Sequence, residues 1–108
     1  MKEKRATTME QFVDLVQQAV YETEELQASA EYDYEDMGMV LEFVNPLLEE
    51  LRQLQATLRD GSYTFRDEDL SFMTIVEAQH DAALPFKFLL RMINNTHRMG
   101  LAEAGDDA

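Results

Sequence analysis

The sequence predicts an all-α protein: an antiparallel bundle of three or four helices, the last bent or broken at Pro85. Three observations carry this. Apolar residues recur at steps of three and four through most of the chain, with no sustained alternation of the strand kind. Capping and stop signals bracket those runs. The chain of 108 residues is 45% hydrophobic, enough for one helical domain spanning 1–108 with a single core. Residues 1–6 and 101–108 read as disordered ends.

The strongest periodic stretch is Met37 to Leu58. Met37, Val40, Leu41, Val44, Leu47, Leu48, Leu51, Leu54 and Leu58 cover roughly 160° of one helix side. Pro46 falls inside it and deprives the Glu42 carbonyl of its donor. The apolar phase runs through Pro46 without a slip, which favours one bent helix over two. Asp60-Gly61 ends it, with Gly61 as a left-handed cap.

The first helix starts at Thr7-Thr8 and runs to about Ala30. Thr7 with Glu10 and Thr8 with Gln11 both fit a capping box. Phe12, Leu15, Val16, Ala19, Val20, Thr23 and Leu26 form its apolar stripe, and Tyr21 falls on the polar side. Residues 31–36 break the period and read as a turn, with Asp36 or a neighbour capping the second helix. That acidic turn fails the calcium-loop pattern, because Met37 and Val44 stand where ligands are required.

Beyond Gly61, Ser62-Tyr63-Thr64-Phe65 reads as an extended connection whose rings plug one end of the bundle. Asp67-Glu68-Asp69 reads as the start of a third helix reaching Leu84, and a fourth follows from Pro85 to Met99. Phe72, Ile75, Val76, Gln79, Ala83, Phe86, Leu90, Ile93 and His97 hold one phase across Pro85. A single long kinked helix is therefore a serious alternative to two.

Charge narrows the function classes. The net charge is −13, which argues against direct nucleic-acid binding and against adsorption to anionic lipid. No apolar run has the length to span a membrane, and the N-terminal stretch lacks the apolar run of a secretory signal. With no cysteine there is no disulfide, thiolate metal site or cysteine nucleophile, and the cytoplasm is the expected location. Twelve acids and no lysine or arginine lie between Ala6 and Leu51, whereas Phe86 to Met99 holds Lys87, Arg91, Arg98 and no acid. The plainer explanation is that these regions face each other within one bundle or across a dimer. The sharper one is an acidic face kept for a basic partner, extending to mimicry of a nucleic-acid phosphate array.

One local pattern invites a chemical test, Glu77-Ala-Gln-His80. A glutamate and a histidine three apart on a helix can share a metal ion, and the pair resembles that of ferritin-like carboxylate bundles. The second such pair is missing: Asn94-Asn95-Thr96-His97 offers His97 with an amide where the glutamate belongs. Glu77, His80 and His97 are the metal candidates, and a solvated surface pair is the expected outcome. His97 continues an apolar phase and fits a hydrogen-bonded packing role. No nucleophile elbow, phosphate loop or dinucleotide fingerprint is present, so no enzyme and no cofactor is expected.

The final helix has more apolar surface than one face can hold. Phe86, Leu89, Leu90 and Ile93 form one side, and Phe88, Met92 and Met99 lie nearly opposite. That second face predicts a protein contact, most simply a homodimer, with Lys87 and Arg91 around it. The sequence thus points to a small acidic adaptor or regulator.

Overall fold

The structure is a computed structural model that describes residues 4–102, and all regular structure among them is helical. Helix α1 (Met9–Tyr32) starts at Thr8, whose Oγ1 accepts the Gln11 amide at 3.0 Å. Gln11 answers one residue further out: its Oε1 takes the Thr7 amide at 2.6 Å and the Thr7 hydroxyl at 3.1 Å. The Thr8–Gln11 alternative is thus the one used, and it satisfies two donors that no helix turn can reach. Phe12, Val16, Ala19, Val20, Thr23 and Ala30 are buried along α1. The buried Thr23 hydroxyl donates back to the Ala19 carbonyl.

Instead of an irregular turn, the next segment is a compact corner. Asp33 separates α1 from α2 (Tyr34–Met37), a 3-10 turn follows at Gly38–Val40, and α3 (Leu41–Asp60) runs on from it. The long helix expected from Met37 therefore becomes regular only at Leu41, and no side chain caps α2 or α3, Asp36 included. Tyr34 folds its ring over Gly38: a Cβ there would lie 3.0 Å from the ring. Helix α3 passes through Pro46 unbroken and buries Val44, Leu47, Leu48, Leu51 and Leu54. Gly61 stops it at φ 82°, donating to the Thr57 carbonyl, which also accepts from Tyr63. Only a residue without a side chain takes that conformation cheaply.

The third helix differs most from expectation. Asp67-Glu68-Asp69 starts no helix, and α4 (Met73–Ala78) has only six residues. The competing bonds are visible. Asp69 accepts from Asn94 Nδ2 at 2.9 Å, the Leu70 amide donates to Asn94 Oδ1 at 2.8 Å, and Arg98 reaches both Asp67 and Asp69. Side-chain partners on the final helix thus hold the segment in a non-helical course.

A single helix across Pro85 is also ruled out. Gln79 turns extended (φ −93°, ψ 147°), and residues 79–86 form turns closed by the His80 carbonyl. Leu84, which precedes the proline and is biased away from helical geometry, is fully buried there. Helix α5 (Lys87–Met99) begins after this break. The Lys87 ammonium bridges the gap, donating to the Gln79 carbonyl at 2.5 Å and pairing with Asp81 at 3.2 Å.

One core joins these elements. Phe12, Leu47, Leu48, Leu51, Phe72, Leu84, Leu90 and Ile93 are essentially inaccessible, each contributing about 1.5–3 kcal/mol of burial. Tyr63 and Phe65 close one side of it, their rings 5.5 and 5.9 Å from Phe12 and 5.2 Å from each other. Ala6 and Ala102, both inside the stretches expected to be disordered, are held in the fold. Ala6 is fully buried, donates to Thr96 Oγ1 at 2.9 Å and accepts from the Ala102 amide at 2.8 Å. The expectation for residues 1–3 and 103–108 lies outside the described residues. Among the described residues, no helix is long and apolar enough to cross a membrane.

Candidate interaction surface

Helix α5 packs inward through Leu89, Leu90, Ile93, Asn94, Thr96 and His97. Its other side carries Phe88, 59% exposed, Met92, partly buried, and Met99, 46% exposed. Spacings of four and seven align these on one stripe, about 16 Å from Phe88 to Met99 at the helical rise. Asn95 falls between Met92 and Met99 and donates to the Lys4 carbonyl at 3.4 Å, so the N-terminal arm runs beside the stripe.

The cations of α5 are engaged within the chain. Arg91 grips Glu77 with both its Nε (2.9 Å) and an Nη (3.0 Å). This bidentate bond holds the Glu77 carboxyl below the usual carboxylate range and pushes the Arg91 guanidinium up. Arg98 serves Asp67 and Asp69. Lys87 is only 8% exposed, so it stands inside the fold and not at the rim where the sequence placed it. The hydrogen bond from its ammonium, with the attraction of that charge, lowers the Asp81 carboxyl. Among the described residues, the acids paired with the α5 bases therefore come from residues 67–81, and not from the acidic block between Ala6 and Leu51.

The three metal candidates stand apart. Glu77, on α4, is held by Arg91 of α5. The helix ends at Ala78, so His80 has left the helical register that would have put it beside Glu77. It is exposed, and its Nδ1 accepts the Ala82 amide at 3.2 Å. His97 is on α5, with Nδ1 2.6 Å from the Tyr63 hydroxyl. Among the described residues, no group of three or more His, Asp or Glu side chains is placed to hold a metal ion.

The Tyr63–His97 pair floors an open groove of about 570 Å³, whose walls include Glu50, Arg66, Glu68 and Ser71. Ser71 donates its hydroxyl to Glu50, away from the imidazole. Burial pushes the Tyr63 phenol up. Burial also pushes the His97 imidazole down, Arg66 adding to this and Glu68 opposing it. The bond thus joins two groups held neutral and fastens the 62–72 segment to α5, together with the Arg66 amide on the His97 carbonyl. Sequence reasoning missed this pairing. The signals were a tyrosine in the connection and a histidine in an apolar phase, both short of a contact.

Comparison with known proteins finds no matching family model, no significantly similar curated protein and no significantly similar solved structure.

Proposed function

We propose that the chain is a small non-catalytic interaction module, an adaptor or regulator, built as an antiparallel helical bundle that pairs with a second copy through α5. The observation that supports this is the stripe of Phe88, Met92 and Met99, rimmed by an arginine whose charge Glu77 already compensates. Two chains of net charge −13 repel each other, and α5 itself carries no acidic residue to add to that repulsion at the contact. Exposed phenylalanine and methionine at helical spacing suit such a contact. Its action is on protein, with no direct nucleic-acid or membrane partner, and its cysteine-free composition suits the cytoplasm. The metal-carboxylate alternative has less behind it, since Glu77 and His80 diverge where α4 ends.

The test is solution mass by sedimentation equilibrium at micromolar concentration. A dimer is expected, converted to monomer by Phe88→Glu or Met92→Glu with helical circular dichroism unchanged. A wild-type monomer, or a dimer indifferent to both substitutions, would overturn the proposal.

A further inference from the structure

The corner between α1 and α3 presents a second surface with a different chemistry. Tyr32 is 95% exposed, Tyr34 68% and Met39 81%, the most exposed large apolar side chains among the described residues. Glu31, Asp33, Glu35 and Asp36 interleave with them and are all exposed. Among the described residues no base pairs with these four carboxylates, and no lysine or arginine occurs between Ala6 and Leu51. The platform is ordered. The Asp33 carbonyl accepts the Asp36 and Met37 amides, and the Tyr34 ring lies over Gly38, where a Cβ would crowd it.

We propose that this corner docks a lysine- and arginine-rich segment of a partner protein. Two tyrosine faces beside four uncompensated carboxylates match a guanidinium or ammonium on both counts, ring quadrupole and charge. A second copy of this chain fits less well: it brings another −13, and five of its nine lysines and arginines, Arg52, Arg66, Lys87, Arg91 and Arg98, are already in ion pairs. The corner is distinct from the α5 stripe, so the two surfaces can be tested separately.

The probe is an arginine–glycine repeat peptide titrated into the isotopically labelled full chain at near-physiological salt, followed by amide chemical shifts. Shifts should concentrate on residues 31–39. Tyr32→Ala with Tyr34→Ala, which leaves the net charge unchanged, should weaken binding about tenfold. Gly38→Val, which displaces the Tyr34 ring, should weaken it in the same direction while helical circular dichroism stays intact. Glu10→Gln with Asp14→Asn removes two charges elsewhere on α1 and should change affinity less than Asp33→Asn with Glu35→Gln. Shifts spread evenly over the acidic faces of α1 and α3, as phosphate mimicry or unspecific attraction would give, would overturn the proposal. So would an affinity indifferent to loss of both tyrosines.

Discussion

The Tyr63 hydroxyl and His97 Nδ1 lie 2.6 Å apart and tie the connection after Gly61 to the last turn of the final helix. Tyr63→Phe removes that bond and leaves the buried imidazole without its partner. Chemical denaturation at pH 7.5 should show a loss of about 1–2 kcal/mol. The variant should keep its aromatic packing against Phe12, so the loss should fall short of that for Tyr63→Ala.

The same pair gives the fold a pH dependence. His97 has its pKa lowered below 6.5 in the folded chain, burial being the main cause, so its neutral form is favoured by folding. Stability from this group is complete above the unfolded value and is lost as pH falls through the folded one, because protons then bind the unfolded chain more readily. Denaturation midpoints should therefore decline as pH drops below about 6.5, the ordinary value for histidine. In His97→Phe this component of the decline should vanish, leaving only that of the carboxylates.

Lys87 offers a sharper substitution pair. Its ammonium is enclosed and donates to the Gln79 carbonyl, whereas its ionic partner Asp81 stands in solvent. Lys87→Met keeps the stem but removes the donor, and should cost about 1–3 kcal/mol in urea unfolding. Asp81→Asn should leave the midpoint within error, as an exposed partner contributes little.

How much of this was legible in the sequence depends on the range of the forces involved. The apolar phase of α1 and α3, the passage through Pro46 and the stop at Gly61 are local or periodic properties, and each was readable. Asp67-Glu68-Asp69 carries a good helix-start signal, yet Asn94 and Arg98, over twenty residues away, supply partners that hold it otherwise. Lys87 misled for the same reason: a lysine beside a phenylalanine stripe looks like a rim, until a broken helix end needs a donor. The stripe of Phe88, Met92 and Met99, exposed at both ends, was visible as surplus apolar surface. The Tyr63–His97 contact was not, because it joins residues with no shared period.

Two glycines separate backbone strain from packing. Gly61 and Gly100 have φ of 82° and 79°, and an added Cβ at either would meet no neighbour within 4 Å. Any cost of substitution is therefore conformational. Gly61→Ala should lower stability by about 1–2 kcal/mol, with Gly61→Asn recovering part of it. Gly100 combines its φ with ψ −172°, a region that side chains hardly enter, so Gly100→Ala should cost more than Gly61→Ala in thermal melts.

The hydrogen bond between the Ala102 amide and the Ala6 carbonyl has a practical side. Arg5 donates to the Met99 carbonyl at 3.1 Å, so the first and last described segments lie beside the same end of α5. A label carried on residues 4–6 or 100–102 would sit next to Met99 and shadow the stripe. Labels for association measurements are better carried at an exposed α3 position such as Gln53, on a different helix from that junction.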